Sequence, residues 1–163
     1  MPVAPVAFQL PPPPRRVFSL TISPIHLTFP IVELTGEIRA HDKLGLAMVA
    51  GVGRYTDKSV DISAAVYELG AQLRFYAIGD FRHGMQLGAE VLYVHLSQSN
   101  LSLRGEGLAV GPFVGYKVMA DGGFTFDAEV GAQYLGLRAT DGYSAETGEE
   151  FIVLLNLNVG WSF

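Results

Sequence analysis

Within the segment Tyr93-Val-His95-Leu-Ser97 a histidine and a serine stand two residues apart, and Glu106 follows further along the chain. A base, a hydroxyl nucleophile and a carboxylate that orients the base are the three groups of nucleophilic acyl transfer. On an extended strand a spacing of two puts His95 and Ser97 on one face, beside Tyr93. In that chemistry His95 is the base, Ser97 the nucleophile and Glu106 the acid from the next strand. The same residues equally suit a polar rim leading into the Ser/Asn-rich stretch Ser97-Gln-Ser-Asn-Leu-Ser102. An oxyanion hole would need free N–H groups at Gly105 or Gly107, and a sheet ladder normally consumes those.

A second constellation is a set of charges at alternate positions. Glu33, Glu37, Glu68, Glu90, Asp127 and Glu129 stand against Arg39, Arg74 and Lys117, with Gln72, Gln86 and Gln133 on the same parity. Mixed charge with amides forms either a salt-bridged plug or a polar lining for solute passage. Two arginines, Arg54 and Arg138, have the opposite parity, where a guanidinium fork would meet phosphate oxygens or simply snorkel. Asp57, Asp61, Glu106, Asp141, Glu146, Glu149 and Glu150, with Lys58 and Arg104, make the connecting segments acidic without calcium-loop spacing. Zero cysteines remove disulfides and thiol chemistry, and four histidines are scattered without ligand spacing, so no metal or cofactor is expected.

The elements that must position these groups are strands. From Phe151 to Phe163 the odd positions Phe151, Val153, Leu155, Leu157, Val159, Trp161 and Phe163 are all large and apolar, and the even positions end in Asn156, Asn158, Gly160 and Ser162. That is period two. The same alternation runs through Phe18–Ile22, Val32–Arg39, Leu44–Val52, Tyr67–Phe75, Met85–Tyr93, Leu108–Val118 and Phe124–Tyr134. The pattern predicts eight antiparallel strands. Short connections are expected at 41–43, 79–83 and 120–123. Longer ones are expected at 56–63, 97–105 and 140–150 on the opposite side, after a tight first turn at Phe29-Pro30.

Two closed eight-stranded architectures remain, a soluble ligand-binding barrel with its apolar face inward and a membrane barrel with it outward. The polar face here is rich in glycine and alanine (Gly45, Ala47, Gly51, Gly70, Gly88, Gly111, Gly115, Gly131), which suits a crowded interior and not a solvated surface. The apolar face carries aromatics near both strand ends, as at the two interfaces of a bilayer. The expected architecture is therefore an all-β, eight-stranded antiparallel up-and-down transmembrane β-barrel over residues 17–163. Residues 1–16, MPVAPVAFQLPPPPRR, form a Pro-rich extended or disordered segment without the features of a secretory signal. If the protein is exported, its signal is expected to have been removed.

Composition agrees with one hydrophobic domain: 163 residues, 49% hydrophobic, 17% charged, net charge −5 and no basic block. A nucleic-acid partner is excluded on that balance.

From Val17 onward the chain resembles the OmpA/OmpX type of small bacterial outer-membrane barrel. The ending Val159-Gly-Trp161-Ser-Phe163 matches that family's C-terminal assembly signal. The resemblance implies an outer-membrane location, with membrane lipids, lipopolysaccharide and the outer-membrane insertion machinery as partners. The pair His95/Ser97 is similar to the His-x-Ser-Asn motif of the PagL-type lipid A deacylases, with Gln98 in place of the asparagine and a different strand position. The expected function is a non-enzymatic structural or cell-surface role with a plugged lumen. A lipid A deacylase and a barrel binding a small apolar ligand are the alternatives, and the oligomeric state is not legible.

Overall fold

In the computed structural model, residues 15–28, 30–57, 62–97, 104–140 and 145–163 are described, and the Pro-rich expectation for 1–14 lies outside them. Eight strands form one closed up-and-down barrel in sequence order, every neighbour antiparallel. They are β1 (Phe18–Ile22), β2 (Ile31–His41), β3 (Leu44–Asp57), β4 (Ile62–Gly79), β5 (His83–Ser97), β6 (Arg104–Met119), β7 (Phe124–Thr140) and β8 (Ala145–Ser162). Closure is made by β1 against β8, from Ser19 opposite Ser162 to Ile22 opposite Val159.

The period-two pattern becomes an inside-out barrel. Leu69, Leu73, Val91, Val110, Val130, Leu155 and their equivalents point outward and are exposed, whereas Glu37, Gln72, Arg74, Gln86, Lys117, Asp127 and Glu129 are buried in the lumen. Small residues opposite large ones make this possible. A side chain added at Gly88 would run into the ring of lumen-facing Phe113 and into the Leu73 carbonyl at 2.7 Å.

Both ends of the barrel chain, near Val17 and Phe163, lie with the short turns. There Gly79 (φ +77°) and Gly123 (φ +99°) take left-handed backbone that favours glycine. The described strands run further than periodicity alone implies. Ala145–Glu150, expected as loop, continues β8 because backbone pairing with β7 (Thr140 opposite Ala145) needs no apolar face. The connection after β1 is also longer than the expected first turn. It runs from Ser23 through a 3-10 turn at His26–Thr28, and Phe29 lies outside the described residues.

The first hairpin sets up the site. β1 has 5 residues and β8 has 18, so β1 covers only the Val159–Ser162 end of β8. Above that point β8 pairs, among the described residues, with β7 alone, and Ile25, His26 and Thr28 of the connector share one cavity with residues 152–156 of β8.

Candidate functional site

The lumen divides into two halves of different chemistry. Toward the short turns it is filled by an ionic centre. Arg74 on β4 donates through Nη1 to Glu37 Oε2 at 2.9 Å and to Asp127 Oδ2 at 2.6 Å, and its Nη2 lies 2.7 Å from Glu129 Oε1. Lys117 Nζ donates to the same Glu37 Oε2 at 2.6 Å and to Ser19 Oγ at 3.1 Å. Tyr76 donates its hydroxyl to Glu37 Oε1 at 2.6 Å, and Gln86 Nε2 donates to Asp127 Oδ1 at 2.5 Å. Gln72 accepts from the Arg74 Nε at 2.9 Å, and Asn156 donates to Glu129 at 3.3 Å. Charges this deeply buried persist only when paired and hydrogen-bonded, which these are. Beneath them Tyr76, Phe81 and Met119 form an apolar stopper, with the Lys117 ammonium 3.8 Å from the Phe81 ring centroid.

Toward the long connections the lumen is hollow. A cavity of about 650 Å³ has apolar walls from Leu92, Val94, Ala109, Leu135, Ile152 and Leu154. Glu33, Glu68 and Glu90 line it, with His26 brought in by the turn after β1. Glu90 accepts from Gln133 Nε2 at 2.5 Å and also from Gln72. His26 Nδ1 lies 3.1 Å from Glu33 Oε1, yet neither atom has a hydrogen-bond partner, and Glu68 Oε2 is likewise buried without one. Val153 and Leu155, which point outward on β8, line the same cavity, so it reaches the outer face of the barrel beside the short β1.

The ten side chains read as one lumen network are therefore not one unit. Glu37, Gln72, Arg74, Lys117, Asp127 and Glu129 come together in the ionic centre, joined through Gln72 to Glu90. Glu33 and Glu68 belong to the cavity. Arg39 belongs to neither. It stands just before the β2–β3 turn and donates through Nη2 to Asp42 Oδ1 at 2.8 Å, which holds the exposed Asp42 carboxyl below its usual range. Arg15 donates to the same Asp42 oxygen at 2.8 Å.

His95 and Glu106 are direct cross-strand partners, but Nδ1 and Oε1 are 3.8 Å apart, beyond hydrogen-bond distance. Ser97 pairs across the sheet with Arg104 and Ala65, and the His95 ring leans on Tyr67 at 6.4 Å between centroids. Gln98 lies outside the described residues. Arg54 and Arg138 are exposed on the outward face. Trp161 packs edge-on against Phe124 at 6.0 Å, and Phe163 stacks on Phe18 at 6.4 Å.

Sequence reasoning missed Tyr76, Phe81, Met119, His26 and the apolar cavity wall. A signal for the wall was present, because Phe151-Ile-Val-Leu-Leu155 is apolar on both parities. Among the described residues no group of metal-ligating side chains is assembled. No protein-family model, curated protein or solved structure matches the chain.

Proposed function

We propose that the protein is an integral outer-membrane barrel with a closed lumen and a structural or cell-surface interaction role, not an enzymatic one. The observation that carries this reading is the inverted distribution of side chains. Charges and amides are buried, while Phe151 is 78% and Val153 is 75% exposed on the outer wall. A soluble monomer rarely presents so continuous an apolar surface.

The height of the apolar wall supports the same reading. Phe151 and Trp161 mark the two aromatic rims of β8, ten residues apart. At about 3.3 Å per residue and a strand tilt of about 40°, that is about 25 Å along the axis, the expected height of a bilayer band. Outward-facing Arg54 and Arg138 are then at the level of lipopolysaccharide phosphates, and the strand ending in Trp161 and Phe163 is the segment for the insertion machinery to engage. The Arg74 centre and the Phe81 stopper support a lumen closed to continuous water passage. The 3.8 Å separation of His95 and Glu106 gives the acyl-transfer alternative no support.

The apolar-walled cavity favours one second reading, a barrel that also holds a small ligand. The primary reading is tested by folding the full chain from detergent into vesicles and planar bilayers. Heat-modifiable gel migration, co-flotation with vesicles and no large stable conductance steps are expected. A chain that stays soluble without detergent, or one that opens persistent porin-like channels, contradicts the reading.

A further inference from the structure

We infer that the lumen cavity is a binding site for a single-chain amphiphile with an ammonium head, taken up sideways through the gap between the first hairpin and β8. The inference rests on the barrel standing in a bilayer, since that is where such a molecule would come from.

The walls and the floor ask for the two ends of one molecule. Leu92, Val94, Leu135, Ile152 and Leu154 offer a tail only apolar contacts, in a volume of about 650 Å³ that falls within the range of small-molecule sites. The floor is acceptor-rich and short of donors. Glu33 is 2% exposed and lines the cavity, and its Oε1 faces only the His26 Nδ1 at 3.1 Å, an ion-pair contact without hydrogen-bond geometry. Glu68 Oε2 is buried without a hydrogen-bond partner. The cationic side chains of the lumen, Arg74 and Lys117, are committed to Glu37, Asp127 and Glu129 in the other half. Among the described residues His26, beside Glu33, is the one basic side chain lining the cavity. A buried carboxylate oxygen without a donor is costly, and an ammonium group supplies up to three donors together with the compensating charge. A carboxylate or phosphate head would add like charge to this floor.

The route follows from the length of β1. Because β1 stops at Ile22 opposite Val159, no described strand closes the side of the cavity next to β8, which is bordered instead by the connector carrying Ile25, His26 and Thr28. Outward-pointing Val153 and Leu155 and inward-pointing Ile152 and Leu154 then line one continuous space. A tail lying on the outer wall can pass into the lumen there without breaking a β-ladder.

The test uses the full chain folded in a non-ionic detergent and incubated with equal amounts of dodecylamine, dodecanol and dodecanoic acid, followed by native mass spectrometry. One dodecylamine adduct per barrel is expected, retained about tenfold better than the alcohol or the acid. Glu68→Gln is expected to lower that preference about tenfold, as is Glu33→Gln, and Ala109→Phe, which fills the cavity wall, is expected to remove the adduct. Heat-modifiable migration checks that each variant folds; if Glu33→Gln does not, Glu68→Gln carries the head-group arm. Equal retention of the three compounds, no amine adduct, or an adduct that survives Ala109→Phe would overturn the inference. A second arm compares amine preloaded into phosphatidylcholine vesicles with amine added from water. Faster occupation from water would overturn the sideways route. Vesicle flotation is read separately: a chain that floats but binds no amine loses only this inference, and one that binds amine but does not float loses the membrane reading.

Discussion

Arg74 on β4 reaches across the lumen to Asp127 on β7, Nη1 to Oδ2 at 2.6 Å, and ties together two walls that share no backbone hydrogen bond. The same guanidinium holds Glu37 from β2 and lies 2.7 Å from Glu129 of β7, so one side chain braces three strands. Arg74→Met would leave three buried carboxylates with neutral donors and Lys117 as the one cation of the centre. The expected cost is about 3–5 kcal/mol, read from urea unfolding in vesicles. Adding Asp127→Asn should recover part of it. A neutral Arg74→Met would mean the centre is hydrated and not a brace.

Side chains on the outer wall should respond to charge more than those in the lumen. Leu157→Arg, exposed near the middle of the apolar band, is expected to cost about 2–4 kcal/mol of folding stability in a bilayer. Asn156→Asp, its inward neighbour, should cost less. The comparison is made by chemical denaturation of both variants in the same lipid.

Crowding at the glycines gives a third expectation. Gly88 faces the Phe113 ring, so Gly88→Ala should destabilise the barrel by about 1–3 kcal/mol. Phe113→Ala in the same chain should return only part of the loss, because the Leu73 carbonyl at 2.7 Å remains in the way.

The pair His95/Ser97 is expected to be inert toward lipid esters. Folded protein incubated with purified lipid A should leave every acyl chain in place by mass spectrometry. Loss of one chain that disappears in Ser97→Ala would promote the acyl-transfer alternative to first place.

Eight strands were legible in the sequence because each half-buried strand must keep one face apolar, and a one-residue error would turn every side chain to the wrong side. The Arg74 and Lys117 centre was legible for the same reason. Parity says only inward or outward, however, and not at what height a residue stands or which neighbour it finds. Arg39 has inward parity but stands close to a turn, where Asp42 takes it. His26 reaches the lumen from a connector, which has no parity to read. The hollow upper half lies behind segments apolar on both faces, such as Val91-Leu-Tyr-Val94 and Phe151–Leu155, where alternation stops discriminating. The gap beside β8 depends on where β1 stops pairing, and the signal for that is Pro24, which has no N–H to give to a ladder two residues after Ile22.

The most direct test of the outward apolar wall uses the single tryptophan of the chain. Trp161 is 47% exposed on the outer face at the short-turn rim. In vesicles containing brominated lipids, its fluorescence should be quenched more strongly by bromines near the lipid carbonyls than by bromines near the chain ends, as for an interfacial girdle residue. In Leu157→Trp combined with Trp161→Phe, the order should reverse. Emission typical of tryptophan in water, unaffected by either brominated lipid, would contradict the membrane barrel.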